Sequence, residues 1–278
     1  MKNNNIKNLK SKFDQLNING YIVPKNDEFF SEYDQNNRLR KISNFTGSAG
    51  FAVILKNKNY LFVDGRYTIQ AAIQAGKNFE IIELHKKLPK NIIKNQKLGF
   101  DPKLFTSKKL IFYFSNHNKL ISIKKNLIDV TCKRFIKREK PFFSLNKNIT
   151  GETHLSKIKK VTNYLKKNKA DFLFISAPEN VAWILNIRGH DNPSSPIPNC
   201  RLIVSKNKEL FLIAERESCQ KIIKENIINK DQLINPKSFE DLIDVIDGKN
   251  FIIDNQSCSI FYEKIIKSKF KIINKADP

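Results

Sequence analysis

Apolar positions along this chain keep two alternating rhythms, and both rhythms occur twice. Ile6, Leu9, Phe13 and Leu16 are spaced 3, 4 and 3 residues apart, one face of a helix. Gly20 is placed to stop that helix, and "YIVP" (21–24) then reads as a strand. Leu155, Ile158, Val161 and Leu165 repeat the helical spacing, with Thr153 or Glu152 near the start and the strand "DFLFIS" (171–176) behind. Further on, "FAVILKNKNYLFVDGRY" (51–67) and "RLIVSKNKELFLIAERE" (201–217) align at a constant offset of 150. Val53 meets Ile203, Ile54 meets Val204, Lys56-Asn57-Lys58 meets Lys206-Asn207-Lys208, Phe62 meets Leu212 and Arg66 meets Arg216. Each copy is an apolar run, a polar turn containing Asn and a second apolar run, the pattern of a β-hairpin.

The segments after the hairpins extend the correspondence. The first half continues with a helix in "RYTIQAAIQAG", strands in "FEIIEL" and "KLGFD", and a helix in "SKKLIFYFSNH". The second continues with helices in "ESCQKIIKENI" and "FEDLIDVID", a strand in "NFIID" and a helix in "SIFYEKIIKSK". Hairpins mixed with helix-connected strands predict a mixed sheet flanked by helices, an α/β domain. The polar, Pro-containing stretch 137–153 is the expected boundary, so the chain reads as two duplicated α/β domains, 1–143 and 144–278. At 278 residues the length suits two domains on a prior of roughly 100–200 residues each.

Composition narrows the class. No apolar run approaches the roughly 20 residues of a membrane span, and the basic N-terminus lacks the apolar core of a secretory signal. Cys132, Cys200, Cys219 and Cys258 are scattered without a C-x-x-C pair, which predicts reduced thiols in a cytoplasmic protein. The net charge of +23 raises the alternative of a basic nucleic-acid-binding or interaction module. Against it, 42 of the 50 basic residues are Lys, spread along the chain, whereas nucleic-acid faces favour the planar fork of Arg. A solvated lysine surface with no nucleic-acid partner is the expectation.

The search for chemistry returns little. His85, His117, His154 and His190 have no metal-ligand spacing, and no nucleophile elbow occurs. "TGSAG" (46–50) fits no phosphate-loop pattern and precedes a strand rather than a helix, so it reads as a tight turn with glycines at positive φ and a close backbone approach. Asp64 is placed to cap the helix that follows the hairpin. Arg66 then falls on the first turn, where the helix dipole mildly disfavours a cation. It is either half of a structural ion pair or a contact to something outside the helix. Trp183, Ile184, Leu185 and Ile187 read as core, and Arg188 with Asp191 as a loop-fixing pair or part of an interface.

Five strings carry a resemblance: "YIVPKNDEFFSEY" (21–33), "ISNFTGSAGFAV" (42–53), "VDGRYTIQAA" (63–72), "LGFDPKLFT" (98–106) and "AWILNIRGHD" (182–191). In this order they resemble the N-terminal two-thirds of a three-domain aminopeptidase P (Xaa-Pro aminopeptidase). The resemblance runs over essentially the whole chain and implies two tandem creatinase-type N-terminal domains. Such enzymes remove the residue preceding proline at position two of a peptide, using two divalent metal ions, commonly manganese. A C-terminal pita-bread domain holds the metal ligands and catalytic histidines. "INKADP" stands where that domain would begin, so this chain alone is expected to have no catalytic residue, no metal site and no activity. The resemblance further implies that the first domain contributes to substrate binding and to homodimer formation. It makes Arg66, in D-G-R-Y, the matching candidate for contacting the peptide.

Overall fold

The computed structural model describes residues 2–33, 36–115, 117–132 and 140–278. The expected boundary stretch thus begins on residues outside the described ones. The chain divides into two compact units, Met1–Lys137 and Arg138–Pro278.

In the first unit, α1 (Lys2–Lys10) leads to β1 (Gly20–Pro24), and α2 (Arg38–Ser43) precedes the hairpin β2 (Gly50–Leu55) and β3 (Asn59–Val63). A 3₁₀ turn, Gly65–Tyr67, opens α3 (Thr68–Ala75), which leads to β4 (Glu80–Glu83). The unit continues through α4 (Pro89–Ile92), β5 (Lys97–Phe100), α5 (Ser107–Phe114), β6 (Lys119–Ser122) and α6 (Leu127–Thr131). The sheet order is β4-β3-β2-β1-β5-β6. The three strands β1, β2 and β3 are antiparallel neighbours, Ile22 facing Val53 and Phe51 facing Phe62, while β4, β5 and β6 add in parallel.

The helical stripe Ile6, Leu9 and Phe13 is buried as the spacing requires, but the regular helix ends at Lys10. Bonds of the i→i−3 kind, Lys12 N–H to Leu9 and Phe13 N–H to Lys10, tighten the next turn and keep Phe13 on the core side. The stop is Asn17, left-handed at φ 50°, and not Gly20 as the sequence suggested. Gly20 instead starts β1, where a Cβ would come within 2.8 Å of the Ile54 carbonyl oxygen.

The second unit repeats the plan. It opens with β7 (Phe143–Ser144), α7 (Lys147–Thr150), α8 (His154–Lys167), β8 (Phe172–Ile175), α9 (Pro178–Leu185) and β9 (Ile187–Arg188). There follow the hairpin β10 (Arg201–Ser205) and β11 (Leu210–Ile213), α10 (Arg216–Lys224), β12 (Leu233–Ile234), α11 (Phe239–Val245), β13 (Asn250–Ile253), α12 (Ile260–Lys269) and β14 (Lys271–Asn274). Its main sheet runs β12-β11-β10-β8-β13-β14, strand for strand the order of the first, with the same antiparallel centre and parallel flanks. The strands β7 and β9 form a separate two-stranded ladder.

Side chains of the second sheet alternate between two cores, as a period of two demands. Leu173, Ile175, Leu202, Val204, Leu212 and Ile252 face one, and Phe172, Phe174, Ile203, Ile213, Phe251 and Ile253 face the other. Helices on both faces explain why the strands read as unbroken apolar runs. Two residues assigned to the core from the sequence are not in it. Leu155 is 68% exposed, because the buried stripe of α8 is Ile158, Val161, Thr162 and Leu165. Trp183 is 52% exposed, one ring face covered by the Lys157 ammonium at 4.0 Å.

Candidate functional site

The first unit gathers its distinctive residues where the β2–β3 hairpin meets α3. Asn44 ends α2 in the left-handed region at φ 65°, and Phe45 is wholly buried behind it. The two glycines of "TGSAG" serve close approach. A Cβ on Gly47 would lie 2.2 Å from the Phe45 ring, and one on Gly50 would lie 2.7 Å from the Phe62 carbonyl oxygen. The expected positive φ does not hold at Gly47, whose constraint is the aromatic ring folded against it. The Thr46 N–H donates to Gln74 Oε1 at 2.9 Å, and the Thr46 hydroxyl accepts from Gln70 and Gln74 at 2.9 Å each. Ser48 and Tyr67 join their hydroxyls at 3.0 Å, and Phe45 meets Tyr67 edge to face at 5.8 Å. This turn is braced by Gln70 and Gln74 of α3 and by Tyr67, and it leads into a strand rather than a helix N-terminus, which is not the geometry of a phosphate loop.

Asp64 caps the 3₁₀ turn as expected, its Oδ1 accepting the Arg66 N–H at 3.0 Å. The same oxygen accepts from Arg66 Nε at 2.9 Å. The guanidinium bonded to Asp64 holds that carboxyl below the usual carboxylate range, and Asp64 in turn raises the Arg66 pKa. The Arg66 side chain is 71% exposed and lies 5.4 Å from the Tyr67 ring. Its two terminal nitrogens have no hydrogen-bond partner among the described residues. One nitrogen is therefore tethered, and the outer fork is presented to solvent. That geometry combines both readings left open by the sequence: a local ion pair fixes the base of the side chain while the bidentate end stays available.

The loop after α9 is built differently. Arg188 and Asp191 do not pair with each other. Arg188 Nη1 donates to the carbonyls of Ala182 at 3.2 Å and Ile187 at 2.8 Å, securing the end of α9. Asp191 is buried and its Oδ2 accepts the Asn199 N–H at 2.7 Å across the Pro-rich loop. Gly189 is pressed against that loop, since a Cβ there would lie 2.8 Å from Pro198 Cα. His190 stacks on Phe143 at 5.3 Å and makes no ligand cluster.

Sequence reasoning missed Lys157, which is buried and donates to the Trp183 carbonyl at 2.8 Å and to Asn186 Oδ1 at 2.6 Å, capping the carbonyl end of α9. It also missed Arg38, whose fork holds Asp129 through Nε at 3.0 Å and Nη2 at 2.8 Å across 91 residues of sequence. No local spacing announces either contact. Burial raises the thiol pKa values of Cys200, Cys219 and Cys258, with Cys219 pushed up to about 12, so none is poised as a nucleophile. Among the described residues no three His, Cys, Asp or Glu side chains come together as a metal site, so they do not fit a metal pair. No described helix is long and apolar enough to cross a membrane.

Comparison with known proteins bears on the same architecture. The family model for the creatinase/prolidase N-terminal domain matches residues 5–131, and a second model of that description matches residues 133–278. A probable Xaa-Pro aminopeptidase P of Laccaria bicolor is 32% identical over 226 residues, covering 74% of this chain and 34% of its own length. Xaa-Pro aminopeptidase 2 of Rattus norvegicus is 31% identical, with 76% and 34% covered. The chain thus spans about a third of the curated relatives it matches. A crystal structure of X-prolyl aminopeptidase from Caenorhabditis elegans, described as a cytosolic enzyme with a di-nuclear active site, superposes with a TM-score of 0.84 at 22% identity. The overlap is 99% of this chain and 50% of that one. That likeness shows the fold. With two tandem matches spanning both mixed sheets, the chain belongs to the creatinase/prolidase N-terminal domain family, and its relatives are Xaa-Pro aminopeptidases.

Proposed function

We propose that this chain is the non-catalytic N-terminal region of a cytoplasmic Xaa-Pro aminopeptidase and that Arg66 contacts the peptide substrate. The observation that carries the reading is the open fork of Arg66. The side chain is anchored through Nε by its own Asp64, yet its terminal nitrogens are unspent at an exposed position. A guanidinium held in this way donates two parallel bonds to a peptide carboxylate, or single bonds to peptide carbonyls, without first paying to order its own stem. By resemblance, the two divalent ions of the proposed reaction, manganese, are held by a C-terminal pita-bread domain. In this proposal the present region binds and positions the peptide and takes no hydrolytic step. Contribution to a homodimer is part of the same proposal.

The experiment uses the complete gene product and a peptide with proline at position two. Arg66→Ala is expected to raise KM roughly tenfold with a smaller change in kcat, and Arg66→Lys to recover only part of the loss because the fork is gone. Unchanged kinetics in Arg66→Ala would remove the substrate role. The 278-residue chain alone is expected to show no Mn²⁺-dependent turnover, and turnover would place catalytic groups within it.

A further inference from the structure

The duplication leaves an asymmetry around the second arginine. At the offset of 150 that aligns the hairpins, Asp64-Gly65-Arg66 becomes Ala214-Glu215-Arg216. In the first unit Asp64 holds Arg66 at 2.9 Å. In the second, the residue in that place is an alanine and the arginine loses its internal partner. Arg216 lies instead on the wall of a surface cavity of about 760 Å³ in the second unit, half open to solvent, on which Arg216, Gln220, Lys224, Lys230 and Asn235 are all exposed. This volume suits a small organic molecule, for which pockets run roughly 300–1,000 Å³.

One wall of the cavity is a single face of α10, carrying Arg216, Gln220, Ile223 and Lys224 at helical spacing. The rest of the lining is Lys230 from the 3₁₀ turn Lys230–Gln232, Leu233 from the edge strand β12, Asn235 just after that strand, and Ala214. Arg216, Lys224 and Lys230 bring three cations to the lining and no carboxylate joins them. Glu215 and Glu217 flank Arg216 in sequence but do not line the cavity, and Glu225 is engaged by Lys221 at 3.8 Å and the Ser144 N–H at 3.1 Å. Among the described residues neither Arg216, Lys224 nor Lys230 has a hydrogen-bond or ion-pair partner. Arg216 and Lys224 are eight residues apart, about 12 Å along the helix axis. The lining also includes the apolar side chains of Ala214, Ile223 and Leu233.

We infer that this cavity binds a small organic dianion. One oxyanion pairs with the Arg216 guanidinium, a second lies between Lys224 and Lys230, and an apolar skeleton crosses Ala214, Ile223 and Leu233. Carboxylate and phosphate share the chemistry that the fork and the lysines recognise. The inference stands independently of the role proposed for Arg66, which lies in the other unit.

The test is isothermal titration calorimetry on the 278-residue chain at about 150 mM NaCl, where diffuse contacts to surface lysines are screened. Three probes are used: suberate, the bisphosphate hexane-1,6-diyl bis(methyl phosphate), which carries one charge on each phosphodiester across an apolar chain, and inorganic phosphate. One of the two dianions is expected to saturate a single site at least tenfold more tightly than inorganic phosphate. Tighter suberate assigns a dicarboxylate, and tighter bisphosphate assigns a phosphorylated ligand. Arg216→Ala and Lys224→Ala are each expected to weaken that dianion at least tenfold, while Lys264→Ala, an exposed lysine on α12, leaves it unchanged. If Arg216→Ala does not fold, as its melting curve would show, Arg216→Lys takes its place and is expected to weaken binding severalfold. The inference is overturned if neither dianion saturates, if inorganic phosphate binds as tightly as both, or if the Arg216 variant that folds binds like the unaltered chain.

Discussion

Asp277 carries a charge that the fold resists. Its Oδ2 accepts from Asn180 Nδ2 at 2.7 Å, while its Oδ1 is closed off from solvent with no hydrogen-bond partner among the described residues. Burial pushes its pKa up from 3.8 to about 6, against the pull of the Asn180 bond and with help from the carboxylates of Asp254 and Glu179. A raised folded-state pKa means that the native state binds the proton more tightly than the unfolded chain does. Stability from that proton is full below the unfolded value near 4 and is lost as pH rises through about 6. Two pKa units at about 1.4 kcal/mol each amount to about 3 kcal/mol lost at pH 7.5. Asp277→Asn removes the charge and keeps an acceptor for Asn180. The variant should therefore be more stable than the unaltered chain at pH 7.5, by up to about 3 kcal/mol. That figure is a ceiling. The segment is held by few bonds, among them Lys275 N–H to the Ile253 carbonyl at 3.0 Å and Tyr164 Oη to the Ala276 carbonyl at 3.4 Å, so it can also relieve the charge by opening. Urea unfolding at pH 7.5, 5.5 and 4.0 reads the effect. The advantage of the Asn variant should shrink on acidification and vanish near pH 4. A stability difference that is absent at pH 7.5, or that does not change with pH, refutes the reasoning.

Asp171 behaves in the opposite sense. Burial alone would raise its pKa, but Lys206 at 2.7 Å and the N–H groups of Asn250 at 2.9 Å and Lys249 at 2.7 Å hold it down at about 2. Its contribution is present above pH 4 and lost as pH falls toward 2. After discounting for solvent screening, Asp171→Asn should cost about 1–2 kcal/mol at pH 7 and only a small fraction of that at pH 2, measured by urea unfolding at both values. Gly50→Ala sets a methyl 2.7 Å from the Phe62 carbonyl oxygen and should cost about 1–3 kcal/mol, seen as a lowered Tm. An unchanged Tm would mean that the hairpin can yield there.

The hairpins, the two-domain duplication and the mixed sheets were legible because buried strands need long apolar runs and polar turns. "FAVILKNKNYLFVDGRY" and its partner satisfy both requirements twice over. The edge strand β4 was legible in "FEIIEL", but the edge strands β6 and β14 were not. Lys119–Ser122 and Lys271–Asn274 each pair on one side only and mix lysine with isoleucine, so neither alternation nor an apolar run marks them. Helix faces were readable to within one turn. Ile158, Val161 and Leu165 were placed correctly, but Leu155 sits at the start of α8, before the helix is covered by the sheet. Lys157 and Trp183 exchange the roles their types suggest, the lysine buried and the indole exposed. The carbonyl end of α9 needs a donor, and only the fold brings Lys157 to it.

The candidate site was legible only as far as comparison between the copies could carry it. Asp64 and Arg66 are two residues apart, so their bond could be anticipated from the sequence, whereas the open outer fork of Arg66 could not. The net charge of +23 points the same way. Several lysines meet nearby carboxylates at the surface, Lys58 with Glu80 and Lys160 with Glu152 among them, and such exposed pairs contribute little to stability. The informative cations are the arginines at one matched position. Where the first copy keeps Asp64 to steady Arg66 beside a braced turn, the second has Ala214 and a cavity. Arg216 stands exposed on its wall with an alanine where the first copy has its carboxylate, which leaves its guanidinium open to an external acid.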